Sequence, residues 1–244
     1  MATPVAVASS GRASDVLQFA VNIYSEGYFR SGVHRDRFAI CRIDLSDHLD
    51  NLDNIQACGV RMRLSYHDLM TLVVEGVIDA DPSLVNGASI DVRLGREIKV
   101  ERAKPDGDFG VVDLRHAKER GVDFETVDIS AGALIMPGQF FLAHTVETFN
   151  LPNYICADFR LRSSIARCGL NALLANWCDP GWHGAQLTLE LHNVNQHHAL
   201  LVTEGLRVGQ MIFDLVDAVP EDRSYATVGR YNLQSGATES LGAC

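Results

Sequence analysis

The chain has 244 residues, of which 47% are hydrophobic, and its formal net charge at pH 7 is −10. This composition is ordinary for a globular protein, and the length suits one large domain, alone or with an appendage. Binding of duplex nucleic acid needs a clustered basic surface, so the acidic balance argues against a nucleic-acid partner. No apolar run approaches the length of a bilayer span, so we expect no membrane association either.

The cysteines indicate a reducing compartment. They are Cys41, Cys58, Cys156, Cys168, Cys178 and Cys244. None forms a C-x-x-C pair, and three of them (Cys41, Cys156 and Cys168) lie among apolar neighbours. We therefore predict reduced, mostly buried thiols in a cytoplasmic protein. The N-terminus lacks the basic and apolar regions of a secretory signal peptide, which favours the same location.

Residues 1–60 carry no functional motif, and we interpret them as an N-terminal extension of unknown role that packs on the main domain or on a neighbouring subunit. After them, Ser65 and Asp68 have the spacing of a capping box. A helix of about three turns should therefore run to Glu75 and end at Gly76, a residue that favours the left-handed conformation at a helix end.

Two further segments precede the main run of strands. Over residues 88–94 apolar and polar side chains alternate, which predicts a strand with one face buried. Residues 102–125 are charged and are interrupted by Pro105 and several glycines. We interpret this second segment as a long surface excursion.

From residue 127 onward, short apolar segments are separated by turn signals. The predicted strands cover residues 133–136, 139–146, 186–192, 198–202 and 208–215. Short strands at this spacing favour a mainly β fold, a barrel or a sandwich, over an alternating α/β sheet. After Pro220 the chain is rich in Gly, Ser and Thr. Its composition is equally consistent with a disordered tail and with an arm that closes over the domain.

Residues 162–167 (RSSIAR) combine two guanidinium groups with two hydroxyls. If the segment is helical, Ser163 and Arg167 share one face. Together with backbone N–H groups, these side chains suit a phosphate ligand. An exposed helix start capped by serine has the same pattern, and spacing alone favours that simpler interpretation.

Residues 185–191 alternate strictly, with Gln186, Thr188 and Glu190 on the polar face. Glu190 therefore points either into solvent or into a polar cavity. A carboxyl group in a partly desolvated cavity has a raised pKa and can transfer a proton near neutral pH. A solvated strand face is the commoner arrangement, and the residues alone favour it.

Residues 179–182 (DPGW) predict a tight turn before that strand. Asp179 either accepts a hydrogen bond from a sugar hydroxyl or only caps the turn, and Trp182 either packs on a ligand or belongs to the core. Cys178 and His183 flank the turn, but the ligand spacing typical of zinc sites is missing. We expect no metal bound by protein side chains.

Six segments carry motifs in a fixed order. They are residues 86–95, 162–170, 179–184, 187–193, 205–213 and 230–236. Together they resemble the dCTP deaminase branch of the dUTPase-like superfamily, over about residues 60–240. The resemblance implies a mainly β subunit, a distorted jelly-roll or β-barrel with a few short helices, over residues 61–220. It also implies a homotrimer with active sites between subunits, and a C-terminal arm, residues 221–244, that closes over the nucleotide.

The implied reaction is hydrolytic deamination of dCTP to dUTP with release of ammonia and without zinc. In the family pattern Glu190 activates the attacking water as general base and acid. Ser163 and the region of Ala175 hold this water. Arg167 stabilises the charge that develops during the reaction.

The resemblance also implies the nucleotide contacts. Arg162, Ser163 and Ser164 would contact the triphosphate, which carries Mg²⁺. Asp179 would contact the deoxyribose 3′-hydroxyl, and the arm would contribute three side chains. The expected nucleotide-binding residues are Arg162, Ser163, Ser164, Arg167, Ala175, Asp179, Trp182, Thr188, Glu190, Tyr225, Arg230 and Gln234.

The chain departs from the family pattern on both sides of the turn. It is one residue shorter between Leu170 and Ala175, and one residue longer between Gly184 and Glu190. These departures keep one alternative to the deaminase open, and the N-terminal extension, residues 1–60, motivates a second. One is a dUTP diphosphatase, or a bifunctional enzyme that carries dCTP through to dUMP. The other is a non-catalytic nucleotide-binding trimer with a regulatory role.

Overall fold

The computed structural model describes residues 62–104, 109–173 and 175–242. The predicted extension, residues 1–60, lies outside the described residues. Within them the chain is mainly β with a few short helices, as predicted. No helix in this described part is long and apolar enough to cross a membrane.

The described residues contain strands joined by turns and short helices. The strands are β1 (Met62–Arg63), β2 (Ile78–Asp79), β3 (Ile90–Arg93), β4 (Glu97–Glu101), β5 (Phe124–Asp128), β6 (Ala133–Ile135), β7 (Phe140–Asn150), β8 (Ile155–Leu161), β9 (Leu170–Ala172), β10 (Trp177–Cys178), β11 (His183–Asn193), β12 (Leu200–Val202) and β13 (Arg207–Leu215). The α-helices are α1 (Tyr66–Val74), α2 (Ala117–Arg120), α3 (Ser163–Ala166) and α4 (Tyr225–Val228). Short 3-10 helices cover Pro82–Leu84, Leu114–His116 and Glu221–Arg223.

Two larger sheets form the body of the domain. In the first, β13 pairs with β8 along one edge and with β1 and β3 along the other, and β10 extends the sheet beyond β8. The second has the order β5-β4-β7-β11-β9, with β2 also on β7, and β6 and β12 form a separate small sheet. The described strands therefore form open sheets and do not close into a barrel.

An aromatic cluster joins the two larger sheets. Phe149 of β7 stacks on Trp182 with 5.6 Å between ring centroids, and Phe213 of β13 lies 6.3 Å from Phe149. All three side chains are buried. Aromatic rings of this size contribute much of the apolar area that a core removes from water. Trp182 thus belongs to the core, which was one of its two predicted roles.

Helix α1 follows its sequence signals. The Asp68 carboxylate accepts hydrogen bonds from the Ser65 backbone N–H and hydroxyl, both at 2.9 Å. The helix ends at Val74, and Gly76 has a φ of 75°. The capping prediction is confirmed, because these contacts are local and depend on nearby sequence alone.

The strands after residue 127 were predicted more fully than those before it. All five predicted segments are present as β6, β7, β11, β12 and β13. By contrast, β8 (Ile155–Leu161) was missed, although it pairs with β13 over its whole length. The prediction that the strand at residues 88–94 has one exposed face is wrong. The polar face of this strand is also covered, and Asp91 is only 4% exposed.

Cysteine burial differs from the prediction at one position. Cys156 and Cys178 are buried, and burial raises the pKa of the Cys178 thiol. Cys168 is exposed, because it follows α3 on the surface, where its thiol points at the Ser164 carbonyl oxygen at 3.4 Å. The remaining cysteines, Cys41, Cys58 and Cys244, lie outside the described residues.

The packing of β13 against β8 gives a direct test of this architecture. A methyl group added at Gly209 would overlap the buried Phe159 ring and lie 2.8 Å from the Arg160 carbonyl oxygen. We expect Gly209→Ala to lower the free energy of unfolding by about 1–3 kcal/mol, as overpacking does. The control is Gly87→Ala, where a methyl group meets no atom within 4 Å. Urea denaturation measures both variants, and equal losses would contradict the pairing of β13 with β8.

Candidate active site

A cavity of about 480 Å³ lies on the face of β11 that points away from the core. The strand alternates as predicted. Ala185, Leu187 and Leu189 are buried, while Thr188 and Glu190 are partly exposed and line the cavity. One strand can contribute side chains to both the core and the cavity, because successive side chains point to opposite faces of the sheet. Thr188 and Glu190 therefore add polar groups to a cavity whose lining also includes apolar side chains, among them Leu142 and Leu187.

Glu190 is an ionisable group in this lining. Its cross-strand neighbour on β7 is Leu142, which also lines the cavity. Burial raises the pKa of Glu190 above its ordinary value, because desolvation disfavours the charged carboxylate. A carboxyl group with a raised pKa holds its proton to a higher pH than an ordinary glutamate and can accept and return a proton during a reaction. The interpretation of Glu190 as a solvated strand residue does not hold.

A bulge in β11 precedes the cavity. Between His183 and Ala185 this strand advances two residues while β7 advances from Asn150 to Phe149. The residue in between, Gly184, has a φ of 61°, in the left-handed region. A bulge of this kind accommodates one extra residue in a strand.

A second register shift follows, because β7 advances from Thr148 to His144 while β11 advances from Gln186 to Thr188. Beyond both shifts the pairing is regular, and Glu190 lies in the cavity lining.

The turn at residues 179–182 forms one edge of the cavity. Asp179 and Ala175 line it, and the Trp177 indole N–H donates a hydrogen bond of 2.8 Å to the Asp179 carboxylate. Gly181 has a φ of 91°, and a side chain there would overlap the Ser224 hydroxyl at the start of α4. The turn is thus held close to the C-terminal arm.

The arm is ordered against β11. Gln186 and Gln234 exchange two hydrogen bonds, in which the Gln186 backbone N–H donates at 3.1 Å and the Gln234 amide donates at 2.7 Å. The Thr238 N–H donates to the Thr188 hydroxyl at 3.0 Å. The described residues of the arm therefore lie against β11, with Tyr225 and Gln234 in the wall of the cavity. Closure of the arm over a nucleotide stays a prediction.

One buried polar atom in this wall has no partner in the described part of the chain. It is the side-chain oxygen of Gln234. Buried polar atoms are nearly always hydrogen-bonded, so an unsatisfied one beside a cavity is expected to meet a ligand or water. The Gln234 amide can therefore present an acceptor to a bound molecule.

The end of the arm is held by contacts within the arm and by one ion pair to β4. The Arg230 guanidinium donates to the Leu241 and Gly242 carbonyl oxygens at 2.6 and 2.8 Å. Lys99 on β4 pairs with Glu239 at 2.6 Å. Arg230 was predicted to contact the nucleotide, but it lies outside the cavity lining. Glu239 lines the cavity, and the sequence motifs did not indicate it.

The charged segment at residues 102–125 is more than a surface excursion. Its last part forms β5, which pairs with β4. Val112, Leu114 and Phe124 line the cavity opposite the polar residues of β11. The signal for this wall was a set of apolar residues spaced within a charged stretch, but no local pattern shows which surface they cover.

The arginine and serine motif, residues 162–167, lies on another surface of the chain. The Arg162 guanidinium donates to the buried Asp91 carboxylate, which also accepts from the Asn86 amide at 3.0 Å. The Arg207 guanidinium lies 3.7 Å from the same carboxylate. Ser163, Ser164 and Arg167 are exposed on and just after α3. A buried carboxylate thus orients part of a basic surface.

One chain therefore assembles only part of the predicted site. The cavity is lined by Ala175, Asp179, Trp182, Thr188, Glu190, Tyr225 and Gln234. Arg162, Ser163, Ser164, Arg167 and Arg230 are absent from this lining. Glu190 and the arginine and serine residues of α3 consequently belong to separate surfaces of the same chain.

The chain matches a family model described as dCTP deaminase-like over residues 63–216. The chain belongs to the dCTP deaminase-like family. Members similar to it include a protein of Aquifex aeolicus, 36% identical over 184 residues, which cover 73% of this chain and 94% of that protein. A protein of Methanothermobacter thermautotrophicus is 32% identical over 184 residues, with coverages of 72% and 89%. Both carry the name "dCTP deaminase, dUMP-forming".

A solved structure agrees with the family in fold. It is the 2′-deoxycytidine 5′-triphosphate deaminase of Agrobacterium tumefaciens, with a TM-score of 0.51 and 23% sequence identity. The match covers 64% of this chain and 48% of that one, so this chain spans about half the length of that structure. This likeness confirms the fold predicted for a dCTP deaminase-like protein.

Burial of Glu190 in this family member predicts a pH-dependent stability. Below pH 4.5, its ordinary pKa, the carboxyl is protonated in the folded and unfolded chains alike. As the pH rises, the unfolded chain loses the proton first, so folding becomes less favourable until the folded carboxyl also ionises. Glu190→Gln should therefore be more stable than the wild type at pH 8, with a smaller difference at pH 4.

Thermal denaturation of both proteins at the two pH values measures this effect. The control is Glu125→Gln, which changes an exposed carboxyl in β5 and should alter stability little at either pH. If the stability difference caused by Glu190→Gln is the same at pH 4 and pH 8, the Glu190 carboxyl is not desolvated in the folded protein.

Proposed function

We propose that this protein deaminates dCTP by hydrolysis, with Glu190 as the proton-transfer group. The observation that carries the proposal is the position of Glu190, a desolvated carboxyl in the lining of a cavity. The raised pKa of Glu190 has burial as its main cause, and burial is a common way to prepare a carboxyl for acid and base chemistry. The names of the relatives supply the substrate class.

In the proposed reaction the Glu190 carboxylate takes a proton from water as the water oxygen bonds to C4 of cytosine. Glu190 then passes that proton to N3 of the base. The second water proton, carried by the new C4 hydroxyl, is transferred to the amino group as the C4 carbonyl forms, so the C4–N bond breaks and ammonia leaves. Closure of the arm through Gln234 and Thr238 excludes bulk water and strengthens electrostatic interactions in the cavity.

The triphosphate is proposed to bind residues from a second copy of the chain. Arg162, Ser163, Ser164 and Arg167 suit phosphate and developing charge, yet they lie outside the cavity of their own chain. A symmetric homotrimer would bring the α3 surface of one subunit to the cavity of the next. Mg²⁺ enters as part of the substrate, bound to the triphosphate, and zinc takes no part. We expect this reaction in the cytoplasm.

A second candidate extends the reaction to dUMP. Both relatives named above are described as dUMP-forming, and this favours hydrolysis of the dUTP formed in the same site. In that case a water bound near Asp179 attacks the α-phosphorus, and the bond to the leaving diphosphate breaks. Asp179 lines the cavity together with Glu190, so one bound nucleotide can be within reach of both carboxyl groups.

The products identify the reaction. Purified protein is incubated with dCTP and Mg²⁺, and nucleotides and ammonia are followed over time. Ammonia with dUTP supports deamination alone, whereas ammonia with dUMP and diphosphate supports the extended reaction. Conversion of dUTP to dUMP without deamination of dCTP indicates a diphosphatase. Nucleotide binding with no turnover indicates a regulatory protein and contradicts the proposal.

Glu190→Gln tests the assigned base. The amide cannot accept the water proton, so we expect deamination to fall by at least ~100-fold, in the range for loss of a general base. Binding of dCTP should change much less, because the substitution preserves shape. Glu125→Gln on β5 is the matched control and should deaminate like the wild type. Deamination by Glu190→Gln at the wild-type rate would refute the role of Glu190.

A further inference from the structure

Trp177 is an exposed aromatic residue at the edge of the cavity. The chain has two tryptophans. Both line the cavity, but Trp182 is only 3% exposed and packs in the core, whereas Trp177 is 58% exposed. A large aromatic side chain left in water beside a ligand cavity is a candidate contact, since tryptophan combines an apolar ring with one hydrogen-bond donor.

Local structure explains the orientation of Trp177. Strand β10 pairs with β8, where Trp177 lies opposite Asp158. Cys178, the other residue of β10, is buried. Trp177 and Cys178 both line the cavity. Successive side chains of a strand point to opposite faces, so Trp177 lies on the exposed side of β10 while Cys178 lies on the buried side. Pairing with β8 thus fixes the backbone from which the indole extends.

The indole N–H of Trp177 donates a hydrogen bond to Asp179, which also lines the cavity. The indole nitrogen lies 2.8 Å from the Asp179 carboxylate oxygen Oδ1. Asp179 is exposed in the turn after β10, where a carboxylate would otherwise rotate among several positions. A hydrogen bond to one oxygen limits that rotation. It leaves the carboxylate group at the cavity edge in a defined orientation.

We propose that Trp177 is a positioning residue that sets specificity for the sugar of the nucleotide. Its N–H orients Asp179 to accept a hydrogen bond from the 3′-hydroxyl, and its exposed ring covers the apolar face of the deoxyribose. This inference rests on the proposed function, which supplies the nucleotide. A site built around a substrate hydroxyl discriminates strongly against an analogue that lacks it, because the acceptor is then left unpaired.

The test compares binding of dCTP with binding of 2′,3′-dideoxycytidine triphosphate, which lacks the 3′-hydroxyl. Binding is measured by calorimetry in the Glu190→Gln background, so that turnover does not interfere. We expect the parent to bind dCTP at least ~10-fold more tightly than the dideoxy analogue, the value of one good hydrogen bond. Adding Trp177→Phe, which keeps a ring but removes the N–H, should bring the two affinities within about threefold of each other.

Asp179→Asn, in the same Glu190→Gln background, changes the proposed acceptor of the 3′-hydroxyl hydrogen bond. It should also reduce the preference for dCTP over the dideoxy analogue. Combining Trp177→Phe with Asp179→Asn should leave the ratio of the two affinities as it is in Asp179→Asn alone, because the two residues act through one contact. A structural role for Trp177 would instead lower the stability, or weaken both ligands equally. Unchanged discrimination in either single variant overturns the inference.

Failure of the proposed function gives a different result. If the wild type does not turn over dCTP, deamination is refuted, but the ratio of the two affinities still decides the role of Trp177. If the parent binds both triphosphates equally, the sugar contact is refuted even when deamination is observed. If the parent binds neither triphosphate, both proposals fail.

Discussion

The two-residue period of β11 is the constraint on which the site depends. Its inward side chains, including Leu187, Leu189 and Leu191, are buried, and burial of such side chains contributes about 1.5–3 kcal/mol each. The same backbone holds Glu190 in a partly desolvated position that raises its pKa. Packing on one face therefore offsets the unfavourable position of a carboxyl group on the other. A shift of one residue would exchange the faces and remove both the core contacts and the cavity-facing position of Glu190.

The arm depends on β11 as well. Gln186 and Thr188, on the polar face, bind residues of the arm through side-chain and backbone hydrogen bonds. These contacts place Tyr225 and Gln234 around the space beside Glu190. The arm has little apolar content of its own, so its order derives from hydrogen bonds to a strand already fixed by the core. Such a segment is expected to open at lower free energy than the sheets, which suits entry and release of a ligand.

Local features of this fold were predictable from sequence, whereas long-range placement was not. The capping of α1 and the alternation of β11 depend on residues close in the chain, and both were predicted. Strand β8 was missed because its burial depends on its distant partner, β13. The apolar residues around Leu114 and the indole of Trp177 became cavity residues only through tertiary structure. The motifs identified cavity residues such as Glu190 and Gln234, but no spacing in the sequence shows that the α3 surface lies outside the cavity of its own chain.

We propose that Glu190 of one subunit acts with Arg167 of another subunit of a homotrimer. The most direct measurement mixes two inactive variants, Glu190→Gln and Arg167→Ala, under conditions that allow subunits to exchange. Each mixed trimer would contain a site with both native residues, so deamination should return to roughly a quarter of the wild-type level at equal amounts. Wild-type protein taken through the same exchange procedure is the control for activity lost during subunit exchange. If the mixture is no more active than either variant alone, although exchange has occurred, the shared site is contradicted.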